Sequence, residues 1–144
     1  MITLKKDDIV LQQHFSNKKE AIRAAGKQLS NQGYVSADYI EKMIERDCLT
    51  TTYIGNMVAI PHGTDDSKSL IKQSGIVVLQ VPEGVDFDGN QVRLIIGIAG
   101  LGDEHLALLS SIALVCAEME NVHQLIAAES KEEIIDLFKE EVIA

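Results

Sequence analysis

Tryptophan is absent from this 144-residue sequence, and aromatic residues make up only 4% of it. Positive charge is also scarce, since 13 Lys and Arg stand against 22 Asp and Glu, for a net charge of −9. Surfaces that bind nucleic acids carry excess positive charge and often stack aromatic rings on bases. The composition therefore argues against a nucleic-acid partner, and the negative net charge argues equally against binding to an anionic membrane surface.

Cysteines and long apolar runs are few. Cys48 and Cys116 lie far apart, with neither metal-ligand nor redox spacing, so we expect reduced thiols in an intracellular protein. No apolar run approaches the length of a membrane span, and the charged start over residues 1–8 is not typical of a signal peptide. The sequence thus predicts a free-standing cytoplasmic protein that is not inserted in the membrane.

The predicted helices are marked by caps followed by apolar residues at helical spacing. Asn17 with Glu20, and Ser130 with Glu133, have the spacing of capping boxes. Further helices are predicted to start at Ser36, Asp103 and Asn121. In the helix that Asp103 opens, the residues expected to face inward are Leu106, Leu109, Ile112, Ala113 and Cys116.

The predicted strands are short apolar runs bounded by turn residues. They cover residues 57–60, 75–81 and 92–99, with a further brief strand or ordered arm at 8–11. A short crossover helix is expected within residues 65–73, and residues 82–90 are expected to form a turn that includes the hairpin signal Asp88-Gly89. A crossover followed by a hairpin implies a mixed sheet. We therefore expect one α/β domain over residues 1–144, with a central mixed β-sheet and helices packed on both faces.

The chain is organised around residues 53–64, YIGNMVAIPHGT. The apolar run in this stretch ends at Pro61, which cannot continue a central strand. Gly63 allows a sharp turn, and Thr64 is a plausible cap for the short helix that follows. The pattern predicts a buried strand that stops and presents His62 at its carboxyl end.

A second histidine, His105, follows the carboxyl end of another predicted strand and falls in the first turn of a helix. Ligands of open α/β sheets collect beyond the carboxyl ends of strands, so the two histidines are candidates for one crevice. The free N–H groups of a helix's first turn suit an anion. Together with Arg46, this set of groups fits a phosphoryl site better than a hydrolase triad.

Other interpretations of these residues stay open at this point. A triad would use Ser67, Ser69, Ser110 or Ser111, although none lies in a Gly-x-Ser-x-Gly elbow. A zinc site could be built from the two histidines and a carboxylate, but no His-Glu-x-x-His spacing supports it. Three residues also have ordinary structural explanations: Arg46 as a charge near a helix end, His105 as a surface residue, and Asn56 as a partner of a neighbouring loop. His14 and His123 have no accompanying motif and are interpreted as structural or exposed.

Residues 45–64, ERDCLTTTYIGNMVAIPHGT, closely resemble the active-site segment of enzyme IIA of the mannitol/fructose class of the bacterial sugar phosphotransferase system. The resemblance extends over essentially the whole chain, including residues 17–34, 81–85 and 97–107. The block Gly-Asn-x-x-Ala-Ile-Pro-His is specific, and its surroundings are most similar to the mannitol branch.

The resemblance implies that His62 accepts a phosphoryl group from the carrier HPr and passes it to a cysteine of enzyme IIB, which works with the membrane component IIC in sugar uptake, with mannitol the expected sugar. It assigns Arg46 and His105 to the active site. We also expect Asn56 and Thr64 to occupy phosphoryl-binding or orienting positions. Asn56 stands where some mannitol-type members have glutamate. No cofactor or metal is implied. The alternative function is a regulatory IIA-like module whose phosphorylation state controls a partner protein.

Overall fold

A five-stranded mixed sheet forms the centre of the structure, a computed structural model that describes residues 3–141 and the side chains of residues 3–138. The predicted domain boundaries, residues 1 and 144, lie outside the described residues. The strands, in their order across the sheet, are β1 (Ile9–Val10), β4 (Gly75–Phe87), β5 (Asn90–Ala99), β3 (Val58–Ala59) and β2 (Tyr53–Gly55). The pairs β1–β4 and β3–β5 are parallel, whereas β4–β5 and β2–β3 are antiparallel. The predicted mixed sheet is confirmed.

Helices cover both faces of this sheet, as predicted. They are α1 (Lys18–Asn31), α2 (Tyr39–Leu49), α3 (Glu104–Ala117), α4 (Met119–Ala127) and α5 (Lys131–Glu141). Leu29 of α1 and Met43 of α2 belong to the core on one face, and Ile112 of α3 and Phe138 of α5 to the core on the other. The long strands β4 and β5 are therefore buried on both sides, which explains why their sequences are almost continuously apolar.

The central predicted strand is shorter than expected because a tight hairpin precedes it. Asn56 and Met57 join β2 to β3 with positive φ angles of 51° and 68°. A two-residue hairpin whose central residues both have positive φ matches the natural twist of the sheet. Asparagine tolerates that conformation well, so the sequence carries a turn signal immediately before the predicted strand.

The other strand predictions were right in type but wrong in some bounds. β4 continues to Phe87 through the region predicted as a turn, with a register shift between Gln80 and Val85. The hairpin at Asp88 and Gly89 is confirmed, with φ angles of 56° and 95°. The crossover is a 3-10 helix, Asp65–Leu70, and the brief amino-terminal strand is β1, preceded by a 3-10 helix, Lys6–Asp8.

Two helix caps are confirmed, and two predicted helix starts are wrong, since α4 begins at Met119 rather than at Asn121 and α2 begins later than predicted. The Asn17 side chain accepts a hydrogen bond from the Glu20 backbone N–H at 2.9 Å, and Ser130 and Glu133 form the reciprocal pair. Helix α2 begins at Tyr39 rather than after Ser36, because residues 36–38 form a turn whose Ser36 carbonyl accepts the Tyr39 N–H.

The buried face of α3 differs from the predicted one. Leu106 is 67% exposed, and Ala113 is also exposed, whereas Leu108 and Val115 are buried. Residues 105–117 carry no acidic or basic residue apart from His105, so apolar spacing alone could not distinguish the two sides.

Within residues 3–141 no single helix is long and apolar enough to cross a membrane. Helices α3 and α4 together have the necessary length and apolar composition, but they are bent by 92° with respect to each other.

The topology brings the two sequence-predicted histidines to one edge of the sheet. β3 and β5 are parallel neighbours, with Val58 opposite Leu94 and Ala59 opposite Ile95. The pairing extends beyond β3, since the Ile98 N–H donates to the Pro61 carbonyl at 3.1 Å. Both strands therefore end at the same place, and the chain after each strand contributes to one site.

Candidate active site

His62 lies in the loop after β3, and its side chain is only 8% exposed. Its Nδ1 atom is 2.8 Å from the carbonyl oxygen of Ile60. A carbonyl can only accept, so Nδ1 carries the hydrogen and Nε2 keeps its lone pair. The loop thus fixes both the tautomer and the orientation of the ring, and it leaves one nitrogen free to act as a nucleophile.

The surroundings of His62 favour its neutral form. Burial is the largest effect and lowers the pKa of His62 below its ordinary 6.5. The Ile60 carbonyl opposes this by holding the proton, the Arg46 charge lowers the pKa further, and Asp65 raises it. Because the net shift is downward, the ring is neutral and nucleophilic at neutral pH.

His105 stands in the first turn of α3, half-buried, with its ring centroid 5.2 Å from that of His62 and the two planes tilted by 60°. The close approach depends on Gly100, where an added Cβ would lie 2.4 Å from the Cα of His105. Burial lowers the pKa of His105, and the neighbouring His62 and Lys68 lower it further. The predicted meeting of the two histidines is therefore present in the structure.

Arg46 lies in the last turn of α2, close enough for its charge to act on the two histidines. One guanidinium nitrogen donates to the Thr50 carbonyl at 2.8 Å, which leaves the other N–H groups available. Its charge lowers the pKa of both His62 and His105, so it acts on both rings. The structure brings these three predicted residues together from three separate elements.

Thr64 and Asn56 were predicted to bind or orient the phosphoryl group. Thr64 is buried beside His62 and starts the 3-10 helix as predicted, but its hydroxyl donates to the Asp66 carboxylate. The Asn56 amide donates to the carbonyls of Cys116 and Ala117 at 2.9 and 3.3 Å, at the carboxyl end of α3. The structure therefore gives Asn56 a contact with α3 and none with the His62 ring, whose Nδ1 is held by the Ile60 carbonyl instead.

Tyr39 is a supporting residue that the sequence did not reveal as one. Its hydroxyl accepts the Gly63 N–H at 2.8 Å and donates to the Ile98 carbonyl at 3.3 Å. A Cβ at Gly63 would come within 2.5 Å of the tyrosine ring, so this glycine is required for close packing. The spacing in α2 showed that Tyr39 faces inward, but no local signal shows which backbone groups its hydroxyl meets.

The geometry does not support the hydrolase and zinc alternatives. The Ser67 hydroxyl donates to the Thr64 carbonyl at 2.5 Å rather than to a histidine base. Among the described residues, no three His, Cys, Asp or Glu side chains are grouped closely enough to hold a metal ion. His14 and His123 are exposed, in agreement with their interpretation.

Known proteins of one family are similar to this chain in sequence and in fold. A family model described as "Phosphoenolpyruvate-dependent sugar phosphotransferase system, EIIA 2" matches residues 2–141. The mannitol-specific phosphotransferase enzyme IIA component of Geobacillus stearothermophilus is 56% identical over 141 residues, covering 97% of each chain. The corresponding Bacillus subtilis component is 48% identical over 141 residues, covering 97% of this chain and 99% of the relative.

Among solved structures, the complex of enzyme IIAMTL and phosphorylated enzyme IIBMTL from Escherichia coli is similar to this chain. The matched chain has a TM-score of 0.91 at 34% identity, with 97% of this chain and 99% of that chain covered. Both the sequence and the fold agree over nearly the full length. The chain belongs to the EIIA 2 family of the phosphoenolpyruvate-dependent sugar phosphotransferase system and is of the mannitol type.

Proposed function

We propose that this chain is a phosphocarrier that accepts a phosphoryl group on His62 from phosphorylated HPr and donates it to a cysteine of enzyme IIB for mannitol uptake. The observation that carries the proposal is the His62 ring, with Nδ1 held by the Ile60 carbonyl and Nε2 free beside His105 and Arg46. The mannitol-specific names of the relatives and the phosphorylated IIB in the similar complex support the substrate and the partner.

In the accepting step, the lone pair of His62 Nε2 forms a bond to phosphorus. The phosphorus–nitrogen bond of the donor phosphohistidine breaks, and its electron pair returns to the donor ring. The hydrogen of His62 stays on Nδ1 throughout, donated to the Ile60 carbonyl. Transfer of this kind needs little covalent help from the protein, since most of the catalysis comes from positioning and charge stabilisation.

Arg46 and His105 supply that charge stabilisation. The guanidinium can donate two parallel hydrogen bonds to phosphoryl oxygens and offset their negative charge. His105, 5.2 Å from His62 between ring centroids, is placed to donate a further hydrogen bond to the same oxygens. These contacts are strongest when charge spreads over the equatorial oxygens, so they stabilise the transition state of transfer in both directions.

In the donating step, the IIB cysteine thiolate forms a bond to phosphorus and the bond to His62 Nε2 breaks. The electron pair returns to Nε2, which restores the neutral ring. Burial of His62 favours that neutral product, as the lowered pKa indicates. Enzyme IIB then serves the membrane component IIC, so we place this chain in the cytoplasm as a partner of HPr and of IIB.

The proposal is tested by incubating the protein with phosphoenolpyruvate, enzyme I and HPr and measuring its intact mass. We expect one phosphoryl group that is labile in acid and then lost on addition of the IIB domain, which gains it on cysteine. No gain of mass, with HPr shown to be phosphorylated, would overturn the carrier function. Acceptance on His62 without transfer to IIB would assign the chain to the regulatory alternative.

A further inference from the structure

A buried carboxylate that the transfer steps do not use lies directly after Arg46. Asp47 is only 4% exposed, and its Oδ1 accepts hydrogen bonds from the Thr52 N–H at 3.0 Å and the Thr52 hydroxyl at 2.8 Å. Its Oδ2 forms an ion pair with the ammonium of Lys18, 2.8 Å away at the start of α1. Burial of a carboxylate is costly unless it is paired in this way, so its position is strongly determined.

Asp47 closes the loop that holds Arg46 in place. The loop runs from the end of α2 to β2, and Asp47 fixes its two ends by binding Thr52. The Thr50 carbonyl, which accepts the Arg46 guanidinium at 2.8 Å, lies inside the closed loop. Because Arg46 has a long side chain and Thr50 is exposed, this carbonyl holds the guanidinium only if the loop keeps its shape.

The same threonine is connected to the phosphoryl acceptor through the backbone. The Thr52 carbonyl accepts the Ile60 N–H at 2.9 Å, and the Ile60 carbonyl in turn holds Nδ1 of His62 at 2.8 Å. The residue that Asp47 holds therefore lies beside the residue that orients the ring. A shift of the loop would move Arg46 relative to His62.

We infer that Asp47 is a positioning residue for phosphoryl transfer, which holds Arg46 in register with His62 through its two hydrogen bonds to Thr52. The inference rests on the proposed function. Asp47 does not touch His62, and it acts on the phosphoryl group only through Arg46. Its loss should therefore slow transfer while leaving the acceptor and the affinity for the protein donor in place.

The first test compares two buried carboxylates of similar environment. Asp47→Ala should lower kcat for transfer from phosphorylated HPr about 10- to 100-fold with KM little changed, since small displacements of a positioned group have effects of this size. The control is Asp8→Ala. Asp8 is also buried, and it accepts hydrogen bonds from the Lys5 N–H and from the Gln32 and Tyr34 side chains. It lies next to the edge strand β1, on the opposite side of the sheet from β2. We expect the control to lose stability with kcat unchanged.

A double-mutant cycle identifies the path of the effect. If Asp47 acts through Arg46, most of the loss caused by Asp47→Ala should vanish in an Arg46→Ala background. A loss of the same size in both backgrounds would overturn the inference, as would an unchanged kcat or a kcat loss matched by Asp8→Ala. A wild-type protein that takes no phosphoryl group from charged HPr would instead remove the proposed function itself, and this inference with it.

Two more conservative variants test the inference if Asp47→Ala fails to fold. Thr52→Val removes the hydroxyl and keeps the shape, whereas Thr52→Ser keeps the hydroxyl. We expect Thr52→Val to lower kcat severalfold and Thr52→Ser to restore most of it. Equal rates for the two variants would contradict a role for the Asp47–Thr52 hydroxyl contact.

Discussion

His62 and His105 occupy matching positions, each just beyond the carboxyl end of one of two parallel neighbouring strands, yet the two rings are held in different ways. His62 is nearly buried and is fixed by the Ile60 carbonyl. His105 is half-buried, and in the described part of the chain its ring has no hydrogen-bond partner. The difference separates two tasks, since an acceptor needs a fixed tautomer while a donor to phosphoryl oxygens needs only to be near them.

The two segments also differ in what supports them. The loop that carries His62 is connected to α2 through the Tyr39 hydroxyl and to β5 through the Ile98 N–H. His105 is carried by the first turn of α3, whose outer side includes the exposed Leu106. The His62 side of the site therefore supplies rigidity, and the His105 side faces outward.

Removal of His62 should have the largest effect. His62→Ala is expected to abolish phosphoryl acceptance, because no other ring in the site has a fixed tautomer with a free nitrogen. Intact-mass measurement after incubation with enzyme I and HPr checks this, with circular dichroism to show that the fold survives. A phosphoryl group that remains on another histidine of this variant would contradict the assignment.

Removal of Arg46 should have the next largest effect. Arg46→Ala is expected to slow transfer about 10²- to 10³-fold, as for the loss of a preorganised group that stabilises transition-state charge. Arg46→Lys should recover only part of the rate, because an ammonium cannot make the two parallel hydrogen bonds of a guanidinium. Rapid-mixing kinetics of phosphoryl transfer would measure both variants, and equal rates for lysine and arginine would exclude the bidentate contact.

Removal of His105 should have a smaller effect and leave the acceptor intact. A hydrogen bond to a charged group contributes about 1.5–3 kcal/mol, so His105→Ala is expected to slow transfer about 10- to 100-fold. Stoichiometric phosphorylation of His62 should still be reached at long times. Rates that stay unchanged in both directions of transfer would make His105 an ordinary surface residue.

The pH dependence should follow the lowered pKa of each histidine. Both rings should be more than half neutral at pH 6.5, where an ordinary histidine is half protonated. Unfolded chains take up these protons at a higher pH than the folded protein, so this contribution to stability is complete above about pH 6.5 and is lost as pH falls through the folded pKa values. NMR titration of the histidine resonances measures the two pKa values, and denaturant unfolding at several pH values measures the change in stability. A titration midpoint at or above pH 6.5 for either ring would contradict the account.

Removal of the Lys68 charge should have the smallest effect, a change in the pKa of His105 that His62 does not share. The Lys68 charge lowers the pKa of His105 and is not among the influences on His62. Lys68→Gln is therefore expected to raise the pKa of His105 modestly and to leave that of His62 nearly unchanged. The same NMR titration measures this, and equal shifts of the two rings would mean that they share one electrostatic environment.

Much of this arrangement could be predicted from the sequence, because local signals determine it. Pro61 and Gly63 mark the end of a strand, and strands that end in this way bring His62 and His105 to one edge of a sheet. The caps at Asn17 and Ser130 depend on residues three positions apart, so they too can be recognised locally.

The remaining features depend on contacts that the sequence does not encode locally. The Asn56 amide meets carbonyls 60 residues further along the chain, and the Tyr39 hydroxyl meets backbone groups of two other segments. The exposed side of α3 was mispredicted because apolar residues occur all around that helix. In each case tertiary packing, rather than spacing, decides the partner.

The central claim is that His62 carries the phosphoryl group on Nε2 because Nδ1 is held by the Ile60 carbonyl. The most direct test is NMR of the phosphorylated protein, in which couplings of the ring nitrogens to phosphorus identify the bonded atom. We predict attachment at Nε2 of His62, with the Nδ1 hydrogen retained. Attachment at Nδ1, or at any other histidine, would contradict the account.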